Sequence, residues 1–315
     1  MVGKGLGANM PIKTKRAPQH KRKLSGADKG FHIFNKIFMV IIFVIFAWPL
    51  WFVLIASFSD PNLVTSGKVL LLPKGFYLGG YKMILEYKDI LRGYANSIFY
   101  TVVGTVLNIV MTICAAYPLS RKDFVPQKFF TIIFVFTMYF SGGLVPLFLQ
   151  VRALGLYNTP LAMIIPGAVS MYNVLILRSF FMTGIPKSLE EAAELDGANT
   201  FQMLTKIIIP LAKPTIAVLV LFYAVGHWND YFSALIYLKD KSLMPLQTVL
   251  RDILIMGKID MTSGSVDMAA VTAKLKVAQT LRYSVIVVST VPLMLVYPFI
   301  QKHFVKGIML GAVKG

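Results

Sequence analysis

Apolar residues in this chain come in long blocks separated by short polar stretches. The first block, Ile37–Phe58, is uncharged and predicts a membrane-spanning helix, with Trp48 and Trp51 inside it and Pro49 as a kink. The second, Ile98–Leu119, carries Thr101, Thr105, Asn108 and Thr112, which predict a face turned to other helices or to a solute pathway rather than to lipid. A third, Phe129–Val151, is broken by Gly142, Gly143 and Pro146, and a fourth, Pro160–Leu177, ends at Arg178. Pro214–Leu238 and Tyr283–Ile300 complete the set. Barrel strands would instead alternate polar and apolar positions over ~10 residues. The expected fold class is an all-α polytopic membrane protein with six transmembrane helices.

Between the blocks lie a mixed loop at residues 60–93, a short basic loop at Ser120–Lys128 and a long loop, Lys239–Arg282, holding an amphipathic piece at Leu246–Met256. An even number of spans puts both termini on one side. The basic leader, the basic loop and the lysines of the tail mark that side as cytoplasmic under the positive-inside rule. The expected organisation is a flexible cytoplasmic leader at 1–36, a transmembrane domain at 37–302 and a cytoplasmic tail at 303–315. The leader does not read as a cleaved signal peptide, because the apolar run after it is too long and has no small-residue cleavage site.

Composition agrees with this layout. The chain has 315 residues, of which 56% are hydrophobic and 15% charged, and that is not the composition of a soluble enzyme. Its net charge of +18 sits in the leader and the loops rather than on one folded face, which argues against nucleic acid as a partner. The single cysteine, Cys114, excludes a disulfide framework and reads as a small buried hydrophobe.

One stretch, 186–213, is too polar for its surroundings. Ser188 and Glu191 have capping-box spacing, so a helix is expected to begin at Leu189, with Glu190, Glu191 and Glu194 in its first turns where the helix dipole favours negative charge. Ala192 and Ala193 keep that helix slim. Gly197, after Asp196, can turn the chain, and Asn199 with Gln202 caps a second helix that climbs to Pro210. The product is a helix-turn-helix at the membrane surface. As residues alone, it is either an ordinary solvated loop or a docking element with no named partner.

The residues also carry a resemblance. Glu191-Ala192-Ala193, Asp196-Gly197-Ala198, Ile209-Pro210 and Pro214 resemble the EAA motif of ABC-importer permeases. Further matches are Tyr81, Asn96-Ser97, Trp228-Asn229-Asp230-Tyr231-Phe232, the stretch Tyr297–Gly307 and the ending Gly311–Gly315. Together they are similar to the carbohydrate-uptake branch, of the maltose-type second-permease kind with an oligosaccharide- or alginate-permease look. The resemblance runs from about Phe31 to Gly315.

It implies a type I ABC-importer permease fold in which 186–213 is the coupling segment, held in a cleft of a cytoplasmic ATPase. Glu190, Glu191, Ala192, Ala193, Asp196 and Gly197 would form that contact, and Gly311 and Lys314 of the tail a second one. The implied assembly holds a second permease subunit, an ATPase dimer and an extracytoplasmic solute-binding protein in a prokaryotic cell membrane. The chain itself has no Gly-x-x-x-x-Gly-Lys-Ser/Thr loop, since Gly67-Lys68 is followed by Val69. No cofactor is expected in it; Mg-ATP would bind the ATPase.

Polar groups inside spans are the candidates for the substrate path: Asn229 and Asp230, with Trp228 and Tyr231 able to stack on a sugar, then Asn173 and Tyr172, then Thr137, Tyr139 and Ser141. Each also reads as a helix–helix hydrogen-bonding or interfacial residue, and His227 reads as a structural one. Two other functions remain open: an ABC permease for an amino acid or peptide, and an ion-coupled secondary transporter. A membrane-embedded enzyme would need clustered acids, bases or metal ligands, which the spans lack.

Overall fold

The structure, a computed structural model, describes residues 26–259, 279–295 and 298. The chain falls into two units, Met1–Trp51 and Phe52–Gly315. The described part of the first unit belongs to helix α1 (Gly26–Ser57), which starts inside the stretch expected as a leader and carries Pro49 without ending. Its apolar side chains from Phe31 to Leu50 are largely exposed, a surface suited to hydrocarbon rather than water.

The second unit continues with α2 (Pro61–Thr65), α3 (Gly79–Glu86), α4 (Lys88–Ser120), α5 (Gln127–Tyr139), α6 (Leu144–Ala153), α7 (Met171–Thr183) and α8 (Lys187–Leu195). There follow α9 (Thr200–Asn229), α10 (Phe232–Tyr237), α11 (Leu246–Ile259) and α12 (Gln279–Leu295). The described residues contain no strand.

Helix α4 is the mast of this unit. Its 33 residues span about 50 Å at ~1.5 Å per residue, more than the ~30 Å of bilayer hydrocarbon, so its ends project. Most of its buried positions, Ile90, Gly93, Ser97, Tyr100, Gly104, Asn108, Thr112, Ala116 and Leu119, lie three or four residues apart and therefore on one stripe, with Thr105 and Tyr117 buried beside it. The stripe is small and polar, while Val102, Val106 and Val110 on the other side are exposed. That is the inverse of a soluble helix, because lipid already solvates the valines and only protein can satisfy the polar groups.

Each polar group on the stripe is met by a particular neighbour. Asn108 donates to the Gly167 carbonyl at 2.7 Å and accepts from His227 Nε2 of α9 at 2.7 Å. Thr112 shares a hydrogen bond with Tyr223 of α9 at 2.7 Å. Ser97 accepts the Leu246 N–H that opens α11, and Tyr100 donates to the Leu243 carbonyl. Asn96, beside the stripe, donates to the carbonyls of Ser242 and Met244. Thr105 is buried without a bonded partner for its hydroxyl. Cys114, expected to be buried, is exposed on α4, because the stripe is filled by its neighbours Thr112 and Ala116.

The break expected in the third block falls between α5 and α6, which meet at 115°, with Gly143 between them at φ +92°. Two other expected spans are corrected. The fourth begins as a 3-10 turn, Pro160–Met163, and resumes only at Met171, because Pro166 and Gly167 interrupt the helix between them. The fifth starts earlier than Pro214. The second helix of the polar hairpin does not stop at Pro210 but runs on as α9 to Asn229. It passes the proline through a π-helical stretch, Met203–Ile208, where the Ile209 N–H reaches back five residues to the Leu204 carbonyl. That wider register lets the chain absorb the donor Pro210 lacks.

Among the described residues three helices, Asp28–Ser57, Lys88–Ser120 and Thr200–Asn229, are long and apolar enough to cross a bilayer singly, and α5 with α6 makes a bent fourth. The expected tail at 303–315, most of the leader and the end of the sixth block lie outside the described residues.

Gly104 lets α9 approach α4, since a Cβ there would collide with the His227 ring. Gly104→Ala is expected to push His227 off Asn108 and destabilise the domain by about 1–3 kcal/mol. A fall in the thermal unfolding midpoint of the detergent-solubilised protein checks this.

Candidate functional site

The polar hairpin is built by local chemistry at three points. Ile185 is buried in the core and Pro186 follows it as the N-cap at φ −63°, ψ 129°, so α8 begins at once with Lys187. The expected capping box of Ser188 and Glu191 is not formed: the start lies two residues before Leu189 and has no side-chain cap bond. Fixed proline geometry, rather than a hydroxyl, sets the entry.

The exit is a Schellman motif. Ala198 N–H bonds the Ala193 carbonyl at 2.9 Å, Gly197 N–H bonds the Glu194 carbonyl at 3.0 Å, and Gly197 takes φ +76°. Asn199 then caps α9 reciprocally: its side chain accepts from Gln202 N at 2.8 Å, and its own N–H bonds Gln202 Oε1 at 3.1 Å. Two helices, a left-handed glycine and a capping box therefore follow one another within sixteen residues, from Lys187 to Gln202.

Of the residues of α8, Ala193 alone is buried and Glu190 alone is half-buried; Glu191, Ala192, Glu194, Asp196 and Gly197 are all exposed. The exposed set is available to a partner. Glu190 is not, because its Oε2 lies 2.6 Å from Arg121 Nη1 at the end of α4. The same guanidinium sits over the Tyr117 ring, 4.5 Å from its centroid. A cavity of about 590 Å³ opens beside this pair, lined among others by Tyr117, Arg121, Phe181, Glu191, Glu194 and Met203. Sequence reasoning counted Arg121 only as a loop charge. Its pairing joins residues 69 apart, and no local signal announces that.

The nine residues singled out for the substrate path do not form one site. Asn229 and Tyr231 line a cavity of about 490 Å³ together with Gln247, Arg251, Ser289 and Thr290. Asp230 lines a different one of about 210 Å³, with Tyr223, His227 and Ser233. Trp228 is in the core at 4% exposure, its indole donating to the Ser289 carbonyl at 2.9 Å and its ring edge-on to Tyr94, so it offers no face to a sugar. Asn173 is buried in α7 and Tyr172 beside it is exposed; they line neither of these two cavities. In α5 and beyond, Thr137 bonds its own helix, Tyr139 is exposed and Ser141 accepts the Gly143 N–H. Gly311 and Lys314 lie outside the described residues. Gln247 and Arg251 were missed, although the amphipathic pattern of Leu246–Met256 gave α11 a polar face on which to look for them.

Among the described residues no group of three or more His, Cys, Asp or Glu side chains is placed to hold a metal. Helices long and apolar enough to cross a bilayer, joined through polar groups on α4, with an exposed acidic helix–glycine–helix element leading into α9, have the features of a polytopic membrane protein. Residues 94–310 match the binding-protein-dependent transport system inner membrane component family, and the chain belongs to it.

Two similar proteins come from Bacillus subtilis (strain 168). The polygalacturonan/rhamnogalacturonan transport system permease protein YtcP is 41% identical over 278 residues, covering 88% of this chain and 96% of that one. The protein LplC is 37% identical over 296 residues, covering 94% and 99%. A crystal structure of a bacterial ABC transporter involved in import of the acidic polysaccharide alginate contains a chain that matches with a TM-score of 0.80 at 35% identity, covering 89% of this chain and 98% of that chain. The protein is thus a non-catalytic permease subunit with the type I ABC permease fold, a membership that implies a separate ATPase and a solute-binding protein as partners.

Loss of the Asn199 cap is expected to loosen the hairpin locally. Asn199→Ala should cost about 1 kcal/mol and speed amide exchange at Gln202, with the amides of α4 unchanged; hydrogen exchange read by mass spectrometry checks both.

Proposed function

We propose that this chain is one of two different permease subunits in an ATP-driven importer for a carbohydrate, an oligosaccharide, and that α8 is its coupling helix. The carrying observation is the geometry of 186–213 in a member of this family. An acidic helix, held to the bundle by one face, exposes Glu191, Ala192 and Asp196, and is closed by a left-handed glycine. A partner ATPase dimer that binds Mg-ATP would take that exposed face, with Glu191 as the acid offered to a basic cleft and the tail residues Gly311 and Lys314 as a second contact. Closure of the ATPase then moves α8, and the helices switch access by rigid-body motion.

In this reading the protein crosses a prokaryotic cell membrane six times, with both termini cytoplasmic. The spans are α1, α4, the α5–α6 pair, α7, α9 and α12, and the stretches 59–94 and 239–282 would meet an extracytoplasmic binding protein. The sugar assignment rests on what the named relatives carry. It is supported by the cavity of Asn229, Tyr231, Gln247, Arg251, Ser289 and Thr290, where amides, hydroxyls, an aromatic ring and a guanidinium suit a saccharide bearing carboxylates. Uptake of an amino acid or peptide is the second reading within the same class.

The test reconstitutes the whole importer in liposomes with a panel of oligogalacturonides, neutral oligosaccharides and peptides. ATP-dependent uptake is expected for an oligosaccharide, and Glu191→Ala is expected to lower it more than tenfold. Uptake of peptides alone overturns the substrate class. Uptake by this chain without ATP or the other subunits overturns the coupling role.

A further inference from the structure

Helix α8 is fastened to the bundle at two residues on one face, three positions apart. Ala193 is buried among the side chains of α4, α7 and α9, and Glu190 is paired with Arg121. A nine-residue helix held at Ala193 alone could rotate about that point. The ion pair supplies the second point that turns a pivot into a rigid joint.

What lies beyond Arg121 matters equally. It is the C-cap residue of α4, and one of the last carbonyls of that helix is held by two other helices. The Leu119 carbonyl accepts from Arg178 Nε of α7 at 2.7 Å and from Gln127 Nε2 of α5 at 2.6 Å. Both donors suit the negative end of the α4 dipole, and the cationic one more so. Tyr117, one turn back, stacks under the Arg121 guanidinium and edge-on to Phe181 of α7. The end of α4 is therefore a node where α5, α7 and α8 meet.

We propose that Arg121 is a positioning residue for energy coupling: the Arg121–Glu190 pair is the rigid link through which displacement of α8 reaches α4, and through the Leu119 carbonyl α5 and α7. Arg121 touches neither solute nor nucleotide in this role. Arginine suits the job better than lysine. Its guanidinium sits over the Tyr117 ring while one nitrogen meets the carboxylate, whereas a lysine ammonium is a compact point charge with no second nitrogen to divide between the two. Both side chains of the pair are about one-fifth exposed, so the link is shielded from most of the solvent screening that weakens surface pairs. It rests on the reading of α8 as the ATPase-contacting helix.

The test compares uptake with ATP hydrolysis, measured in parallel on the complete importer in liposomes. Arg121→Ala and Glu190→Gln are each expected to lower solute taken up per ATP hydrolysed by about tenfold. The double variant should be no worse than either single one within about twofold, because a link can be cut only once. Arg121→Lys should retain an intermediate ratio.

A second arm replaces Cys114 with Ser and introduces Arg121→Cys with Glu190→Cys. Bridging the two thiols with a short bifunctional maleimide is expected to raise the ratio at least threefold over the unbridged protein, a rescue that loss of folding could not produce. An unchanged ratio in Arg121→Ala, losses that multiply in the double variant, or a bridge that restores nothing each overturns the proposal. Absence of ATP-driven uptake in the unsubstituted importer overturns the coupling-helix reading beneath it, whereas normal uptake there with normally coupled Arg121 variants overturns the link alone.

Discussion

The hydrogen bond between Asn108 and His227, with Asn108 also donating to the Gly167 carbonyl, stands at the point on which the bundle depends. In hydrocarbon there is little gain from bringing two leucines together, and helices associate through close packing and polar groups that lipid cannot satisfy. Each such bond contributes only about 0.6 kcal/mol on average, and up to ~2, so none is decisive by energy alone. Their importance is in register. Asn96, Ser97, Tyr100, Asn108 and Thr112 each meet partners on other elements, and together they fix α4 against α9, the turn before α7 and the start of α11. The missing side chain at Gly104 admits the His227 ring to this arrangement.

A second constraint acts at the polar end. The hairpin 186–213 is not a loop hung between two spans, because its second arm is the beginning of α9 itself. A displacement of α8 therefore meets the bundle in two places: along the chain through Gly197 and the Asn199 cap, and across space through Glu190 and Arg121. The π-helical stretch Met203–Ile208 keeps the first route helical past Pro210, where an ordinary α register would have lost a bond. The two routes arrive at different helices, α9 and α4, so in the proposed coupling role a movement of α8 would be felt by both.

The acidic hairpin, its glycine and its second cap were legible from residues because capping, positive φ and the helix dipole are local effects. Spans were legible as blocks but not at their ends. Lys88–Ser97 belongs to α4 although it is too polar to be read as membrane, because a helix continues beyond the hydrocarbon wherever its polar face finds partners. The opposite error occurred at Pro160–Leu177. The stretch is mostly apolar and suggests one helix, while Pro166 and Gly167 divide it and leave the Gly167 carbonyl free to meet Asn108. Trp228 shows the same limit for the site. Its chemistry suits a sugar, but its neighbours Tyr94 and Ser289 arrive from distant helices and close it into the core.

The sequence by itself determined the class, the polar hairpin and the family motif, since hydropathy, turn chemistry and motif spacing are carried by residues near one another in the chain. Only the tertiary structure decided which polar groups are structural and which remain exposed. It parted Asn229 from Asp230 into separate cavities and withdrew Trp228 and Asn173 from access. It also took Glu190 out of the exposed acidic set by giving it Arg121, a partner 69 residues away. The physical reason is that satisfaction of a buried polar group is a property of pairs, and in this chain the pairs are made between helices.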